Sequence, residues 1–495
     1  MSSSKPTLPS LAEAGLQLLL ARAEDHLPVL DQGLEVEALQ ATPRPTPLPG
    51  RVEVPTWQSA DAGRNDLTAQ RWGVIAPEGD VGDAILRAIA PLIAHREKEQ
   101  GAPAKVYRVP ADMDAARAVA WKDSVLQAED VPEEERPWYL LILGDLHHVS
   151  LELQQVLAQG ACVGRLHVGR PNGEPDLEGC AAYVTKLLAR ELRTEVKEAP
   201  NVLIYTARDG TLATTQGHQV LMEPCREAIG TRWKAKWPAL ELVDIPYDGS
   251  SPEELLRAVG QAQAGVMLSM AHGLGRPTQG WVSAEEQRAR QGALSVGRAQ
   301  ALTGELMRHT PFLPGGMWFN VSCFGAATPA KSTFHAWVSR LAQEGAWSSP
   351  ATSVLASLPG AGERPFLAAL PQALLANEQG PLAIIGHSDL AWTLSFTDVE
   401  NASSSRASRI LAVLEVLAKG SRAGVAHAAL MRHYQEDNDR LMANYQARAD
   451  AQLYGHPDPT DPVRHGLLWM RRQDLRGYLL LGDPAARLAV KRGAP

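Results

Sequence analysis

Hydrophobic and polar positions change their rhythm near residue 70. Before it, residues 11–23 predict one helix. The stretch Thr42-Pro-Arg-Pro-Thr-Pro-Leu-Pro-Gly50 favours extended, non-helical backbone and is read as an arm or linker. From Arg71 onward, short apolar runs alternate with amphipathic stretches. Residues 72–77, 105–109 and 138–145 predict strands and residues 81–96 and 151–159 predict helices, with a short apolar segment at 163–168 closing this layer near Glu195. A second alternating series predicts strands at 201–206, 240–245, 265–270, 317–322, 382–386 and 478–482. Between them, Ser251 with Glu254 three positions on has the form of a capping box opening a helix over 252–262. Residues 405–454 are predicted mainly helical. Continuously apolar strands alternating with helices imply an α/β fold whose mostly parallel sheet is covered on both faces, with functional groups at the carboxyl ends of the strands.

Length divides this pattern into parts. A chain of 495 residues exceeds one ordinary core. The expected organisation is an N-terminal helix and proline-rich arm (1–65), a smaller α/β subdomain (66–195) and a larger α/β domain (196–495) carrying the helical segment 405–454. A formal net charge of -8 offers no footprint for nucleic acid or an anionic membrane. No apolar run is long enough for a spanning helix, and the apolar core at 16–20 is too short for a secretory segment, so a cytoplasmic protein is expected. The four cysteines (Cys162, Cys180, Cys225 and Cys323) have no paired C-x-x-C spacing, which argues against a disulfide framework or a structural zinc site. Gly144-Asp145-Leu-His-His148 suggests a metal site only weakly, because adjacent histidines on an extended segment point to opposite sides. No metal and no cofactor are expected.

Two residues carry chemistry. His272 directly follows the mainly apolar run 264–271, and Cys323 directly follows 316–322. A thiol is a useful nucleophile as thiolate, so it needs an imidazole nearby to take its proton. Neighbouring parallel strands, each releasing one of these residues at its carboxyl end, would provide that proximity. This pairing points to a cysteine peptidase.

At these residues the chain resembles the caspase-like cysteine peptidases of clan CD, in which a strand ending His-Gly precedes a strand ending Cys-x-Gly. The motifs read Ala271-His272-Gly273 and Ser322-Cys323-Phe324-Gly325 here. Ala383-Ile-Ile-Gly386 and Tyr478-Leu-Leu-Leu-Gly-Asp-Pro-Ala-Ala-Arg-Leu488 look like the later strands of CHAT-type and gingipain-like members. Leu140-Leu-Ile-Leu-Gly-Asp145 followed by Val163-Gly-Arg-Leu166 is similar to the non-catalytic subdomain that precedes the catalytic one in gingipain-like peptidases.

The resemblance implies a caspase-haemoglobinase-like fold and a Cys323–His272 dyad acting through an acyl-thioester, with the backbone amides of Gly273 and Cys323 holding the oxyanion. No third catalytic carboxylate is required in that clan. Specificity would come from loops at the same sheet edge. Asp389 and Asp209 are the candidate substrate-binding acids, and they favour cleavage after a basic residue, although Arg208 beside Asp209 leaves the opposite preference open. His387 also follows a strand and is read as a loop histidine. The expected partner is a protein substrate, with a possible activating protein or ligand. The competing expectation is a catalytically silent caspase-like domain that serves as a binding scaffold.

Overall fold

A computed structural model describes residues 15–42, 62–128, 130–170, 172–193, 196–249, 251–297, 300–343, 347–360, 362–397 and 405–491. The expected proline-rich arm at 42–50 lies almost wholly outside them. The strands are β1 (Leu20–Arg22), β2 (Trp72–Pro77), β3 (Lys105–Val109), β4 (Tyr139–Leu143), β5 (Cys162–Leu166), β6 (Asn201–Thr206), β7 (Glu241–Ile245), β8 (Val266–Met270), β9 (Gly273–Gly275), β10 (Leu294–Gly297), β11 (Gln300–Leu302), β12 (Met317–Val321), β13 (Ala327–Thr328), β14 (Phe366–Leu367), β15 (Ala383–His387) and β16 (Tyr478–Gly482).

Ten of these build one central sheet in the order β3-β2-β4-β5-β16-β15-β12-β8-β6-β7. Within the first half (β3, β2, β4, β5) and within the second (β15, β12, β8, β6, β7) neighbours run parallel, and β16 pairs antiparallel with β15. Every residue of β2, β4, β5, β8, β12, β15 and β16 is buried, as expected of strands covered on both faces. The architecture is therefore mixed α/β with a large helix-flanked sheet. The predicted helical segment forms two helices, Ala407–Ala418 and Ala423–Tyr454, followed by Pro462–Gly477. The last is opened by Asp461, whose side chain accepts from the Arg464 N–H, with proline in the first turn. At the helix Glu253–Gln261, Ser251 Oγ accepts from the Glu253 N–H at 3.1 Å, so the hydroxyl caps a position earlier than the capping box would.

The two sequence halves share this sheet without a break, because β16 arrives from the end of the chain and lies between β5 and β15. Asp483, next after β16, explains the Gly-Asp-Pro motif. Its carboxylate accepts from Trp72 Nε1 at 2.9 Å and Arg96 Nε at 2.8 Å, and its N–H donates to Tyr183 Oη at 2.7 Å. Arg96 also pairs with Glu191 and Glu99, and all its charge is buried. A buried arginine with several carboxylate partners is costly to break and ties three distant segments together.

One expectation fails. The described part of residues 11–23 is extended, not helical: β1 pairs in parallel with β9, Leu20 opposite Gly273 and Arg22 opposite Gly275. Leucine-rich sequence favours helix in isolation, but unpaired backbone amides and carbonyls at an edge can be reached only by an extended chain, and tertiary pairing overrides propensity.

Candidate active site

The parallel register of β8 and β12 places Met270 opposite Val321. His272 lies two residues beyond the first and Cys323 two beyond the second, so adjacent strands release them level with each other. Gly273 permits the close approach of the two strand ends: a Cβ there would lie 1.9 Å from the Cys323 carbonyl oxygen.

His272 is fully buried. Its Nε2 lies 2.9 Å from Thr211 Oγ1 and 3.5 Å from Asp209 Oδ2, and Thr211 Oγ1 lies 2.8 Å from Asp209 Oδ1. A carboxylate only accepts, so the Thr211 hydroxyl donates to Asp209 and its oxygen accepts from the His272 Nε2–H. The imidazole is then bare at Nδ1, which has no hydrogen-bond partner among the described residues. Burial pushes the His272 pKa below its ordinary value, and the Asp209 charge opposes that only in part. Burial thus favours the neutral ring, and its bare Nδ1 is the nitrogen left to accept a proton.

Cys323 is also fully buried. Its Sγ accepts from the Ala391 N–H at 3.2 Å and lies 3.7 Å from the Ala391 carbonyl. Burial pushes the thiol well above its ordinary pKa, with Asp389 and Asp474 adding to the rise and the Ala391 contact opposing it. No hydrogen bond joins sulfur and imidazole among the described residues.

The two expected oxyanion donors converge. The N–H groups of Gly273 and Cys323 both donate to one acceptor, the Leu19 carbonyl, at 3.1 and 3.2 Å. This acceptor belongs to the extended N-terminal segment.

The remaining predicted site residues take other places. Asp389 is buried and its oxygens accept from Ser332 Oγ at 2.7 Å, from the Thr333 N–H at 2.7 Å and Oγ1 at 3.1 Å, and from the Leu390 N–H at 2.8 Å. It ties the 332–333 segment to its own loop and so is not free to meet a basic side chain of a substrate. Asp209 orients the imidazole through Thr211, a role sequence reasoning did not give it. His387, read as a loop residue, is the last residue of β15 and is buried, bonded by Nδ1 to the Asp389 carbonyl and by Nε2 to the Asp474 carbonyl, both at 2.9 Å. Thr211 and the 391–393 segment were missed. Neither has a sequence signal, since a threonine in an Asp-Gly-Thr turn and an Ala-Trp-Thr run are ordinary.

Away from this site, His147 and His148 stack with ring centroids 3.7 Å apart on a turn, not on opposite sides of an extended segment as expected. A cavity of 630 Å³ opens beside Asp145 and His167, not beside Cys323. His95, Glu99 and Glu191 have metal-ligand spacing, but both carboxylates are paired with Arg96.

No family model matches the chain, and no curated protein does. Among solved structures, the Arg specific cysteine proteinase gingipain R aligns with a TM-score of 0.40 and 12% identity, over 85% of this chain and 78% of that one. A fatty acid ABC transporter substrate-binding protein from Thermomonospora curvata aligns at 0.18 and 11%, over 81% and 79%. A LacI transcriptional regulator from Bacteroides fragilis aligns at 0.15 and 9%, over 64% and 84%. These likenesses are too weak to bear on function. No helix among the described residues is long and apolar enough to cross a membrane.

Proposed function

We propose that the protein is a caspase-like cysteine endopeptidase that acts on a protein substrate in the cytoplasm, through Cys323 as nucleophile and His272 as general base. The observation that supports this is the convergence of the Gly273 and Cys323 amides on a single carbonyl oxygen, beside a thiol and an imidazole with an unpaired Nδ1. Two fixed N–H donors aimed at one point are what a developing oxyanion requires.

In this mechanism the thiol proton passes to His272 as sulfur attacks the substrate carbonyl carbon. The oxyanion takes the hydrogen bonds of the two amides. His272, now an imidazolium held by Thr211 and Asp209, gives its proton to the leaving amine. Water, deprotonated by the same imidazole, then hydrolyses the acyl-thioester. Neutral histidine and neutral thiol are the resting forms that burial favours, so charge develops only as a substrate enters.

Burial of Cys323 also favours a second reading, a silent domain that binds proteins without cleaving them. Cleavage of an unfolded protein such as casein, followed with and without iodoacetamide, separates the two. Any cleaving form of the chain should lose the activity on Cys323→Ala, and activity surviving in that variant would remove the peptidase proposal.

A further inference from the structure

The segment that holds the Leu19 carbonyl against the two amides does more than touch the site. Upstream, it pairs antiparallel with the 391–393 segment: the Leu19 N–H donates to the Ala391 carbonyl at 3.2 Å, Leu18 lies opposite Trp392, and the Thr393 N–H donates to the Gln17 carbonyl at 3.2 Å. Downstream, β1 continues in parallel beside β9, directly after His272. A polypeptide therefore runs extended past Cys323, with one carbonyl in the amide pair and backbone pairing on both sides. Its side chains, Leu16 to Leu20, are all buried, and four of the five are leucine.

From this geometry we infer that residues 16–22 occupy the substrate groove as a built-in substrate mimic, and that the groove takes an extended apolar peptide with leucine, the residue at position 19, before the scissile bond. The inference rests on the peptidase reading for its chemistry, but the occlusion itself does not. Main-chain contacts fix the direction and register of the occupant and leave side chains to decide preference. The residue whose carbonyl the amide pair holds, Leu19, has a buried aliphatic side chain. The acid expected to select a basic one, Asp389, is consumed by Ser332, Thr333 and Leu390.

The mimic is retained, not consumed, because both sides of the Leu19–Leu20 bond are clamped. Leu20 O accepts from the Val29 N–H and the Arg22 N–H donates to Leu27 O, both at 2.9 Å. Farther on, Arg290 Nη2 donates to the Ala23 carbonyl at 2.7 Å, and Glu24 accepts from Thr278. An amine released at Leu20 would remain beside the thioester and re-form the bond. A tethered strand also acts at an effective concentration of about millimolar, so a free substrate competes poorly until the segment is displaced.

The test uses two full-length variants that expel the segment by different routes. Leu19→Pro removes the N–H given to Ala391, and Leu18→Asp places an unpaired charge where it cannot stay buried. Iodoacetamide labelling of Cys323, read by mass spectrometry, should be slow in the wild type and about tenfold or more faster in both variants. The variants should also hydrolyse acetyl-Leu-Gln-Leu-Leu-aminomethylcoumarin, a copy of residues 16–19, about tenfold faster than the same peptide ending in Arg or Asp. Equal labelling in all three chains overturns the occlusion, whatever is cleaved. Faster labelling without hydrolysis of any peptide keeps the occlusion and removes the peptidase reading. Preference for the Arg peptide overturns the apolar substrate class.

Should both variants fail to fold, amide exchange on the wild type reads the same contact. The amides of Gly273, Cys323 and Thr393, which donate to the Leu19 and Gln17 carbonyls, should open together with the Leu19 amide, and a freely exchanging Leu19 amide beside protected Gly273, Cys323 and Thr393 amides overturns the inference.

Discussion

Two polar clusters stand at strand ends in this molecule, and only one has the parts of an active site. In the first half, β4 leads to Asp145 and β5 to His167. In the second, β6 leads to Asp209, β8 to His272 and β12 to Cys323. Both unite a carboxylate with histidine, two rings in the first and one in the second.

In the first, Asp145 accepts from the Leu146 and Leu367 N–H groups at 2.8 Å, with His147, His167 and Arg364 within 4.0 Å. Burial opposes its ionisation, but the neighbouring histidines and the Leu146 amide outweigh it and hold the carboxyl well below its usual range. The nearest thiol in sequence, Cys162, begins β5 instead of following it. His147 Nδ1 and His167 Nδ1 are without hydrogen-bond partners there, as His272 Nδ1 is in the second cluster, but in the second the carboxylate is partly exposed and a thiol follows its strand. Unpaired imidazole nitrogens occur in both clusters, so what separates them is the thiol: a carboxylate and imidazoles alone brace a fold, whereas an imidazole acceptor at the same sheet edge as a nucleophile has a proton to take.

The sharpest break of this contrast is at the cysteines. With the N-terminal segment displaced by Leu19→Pro, Cys323→Ala should lower peptide turnover about a thousandfold or more, while Cys162→Ala leaves it unchanged. A large loss from Cys162→Ala would erase the distinction.

The carboxylates come next and should separate stability from turnover. Asp145→Asn removes a buried charge from its partners and should cost about 3–5 kcal/mol, read by urea unfolding. Asp209→Asn should leave the unfolding midpoint nearly unchanged and lower turnover about a hundredfold.

A pH series sharpens the first cluster. Burial pushes the His167 pKa from 6.5 to about 4, so the unfolded chain takes up a proton that the folded chain refuses. The associated stability is complete above pH 6.5 and is lost as pH falls towards 4, to an extent of about 3 kcal/mol. His167→Gln should flatten that slope, and an unchanged slope would assign it to other groups. The smallest effect expected is from Thr211→Val, which keeps the shape but removes the hydroxyl between Asp209 and His272. It should lower turnover about tenfold with the unfolding midpoint intact.

Much of this was legible along the chain. The mainly apolar runs at 139–143, 266–270 and 317–321 stand where strands form, because a strand buried on both faces admits few polar positions, and the two present, Ser269 and Asn320, bond each other at 3.1 Å. His272, Gly273 and Cys323 stood out for the same reason, as polar or small residues two or three positions beyond such runs. Asp389 misled because a loop aspartate next to a strand end has the same appearance whether it faces a ligand or ties down a distant segment, here residues 332–333. The N-terminal leucines misled more. Their spacing fits a helix, and nothing local announces that Leu19 will meet amides more than 250 residues away.

Sequence alone determined the layered α/β scheme, the strand ends and the residue types placed there, since burial imposes its pattern locally. Only the tertiary structure decided which imidazole nitrogen is unpaired, which carboxylate orients the ring, and what lies in the groove. Those outcomes depend on hydrogen bonds between distant segments, and a backbone donor carries no mark in the sequence of the partner it will find.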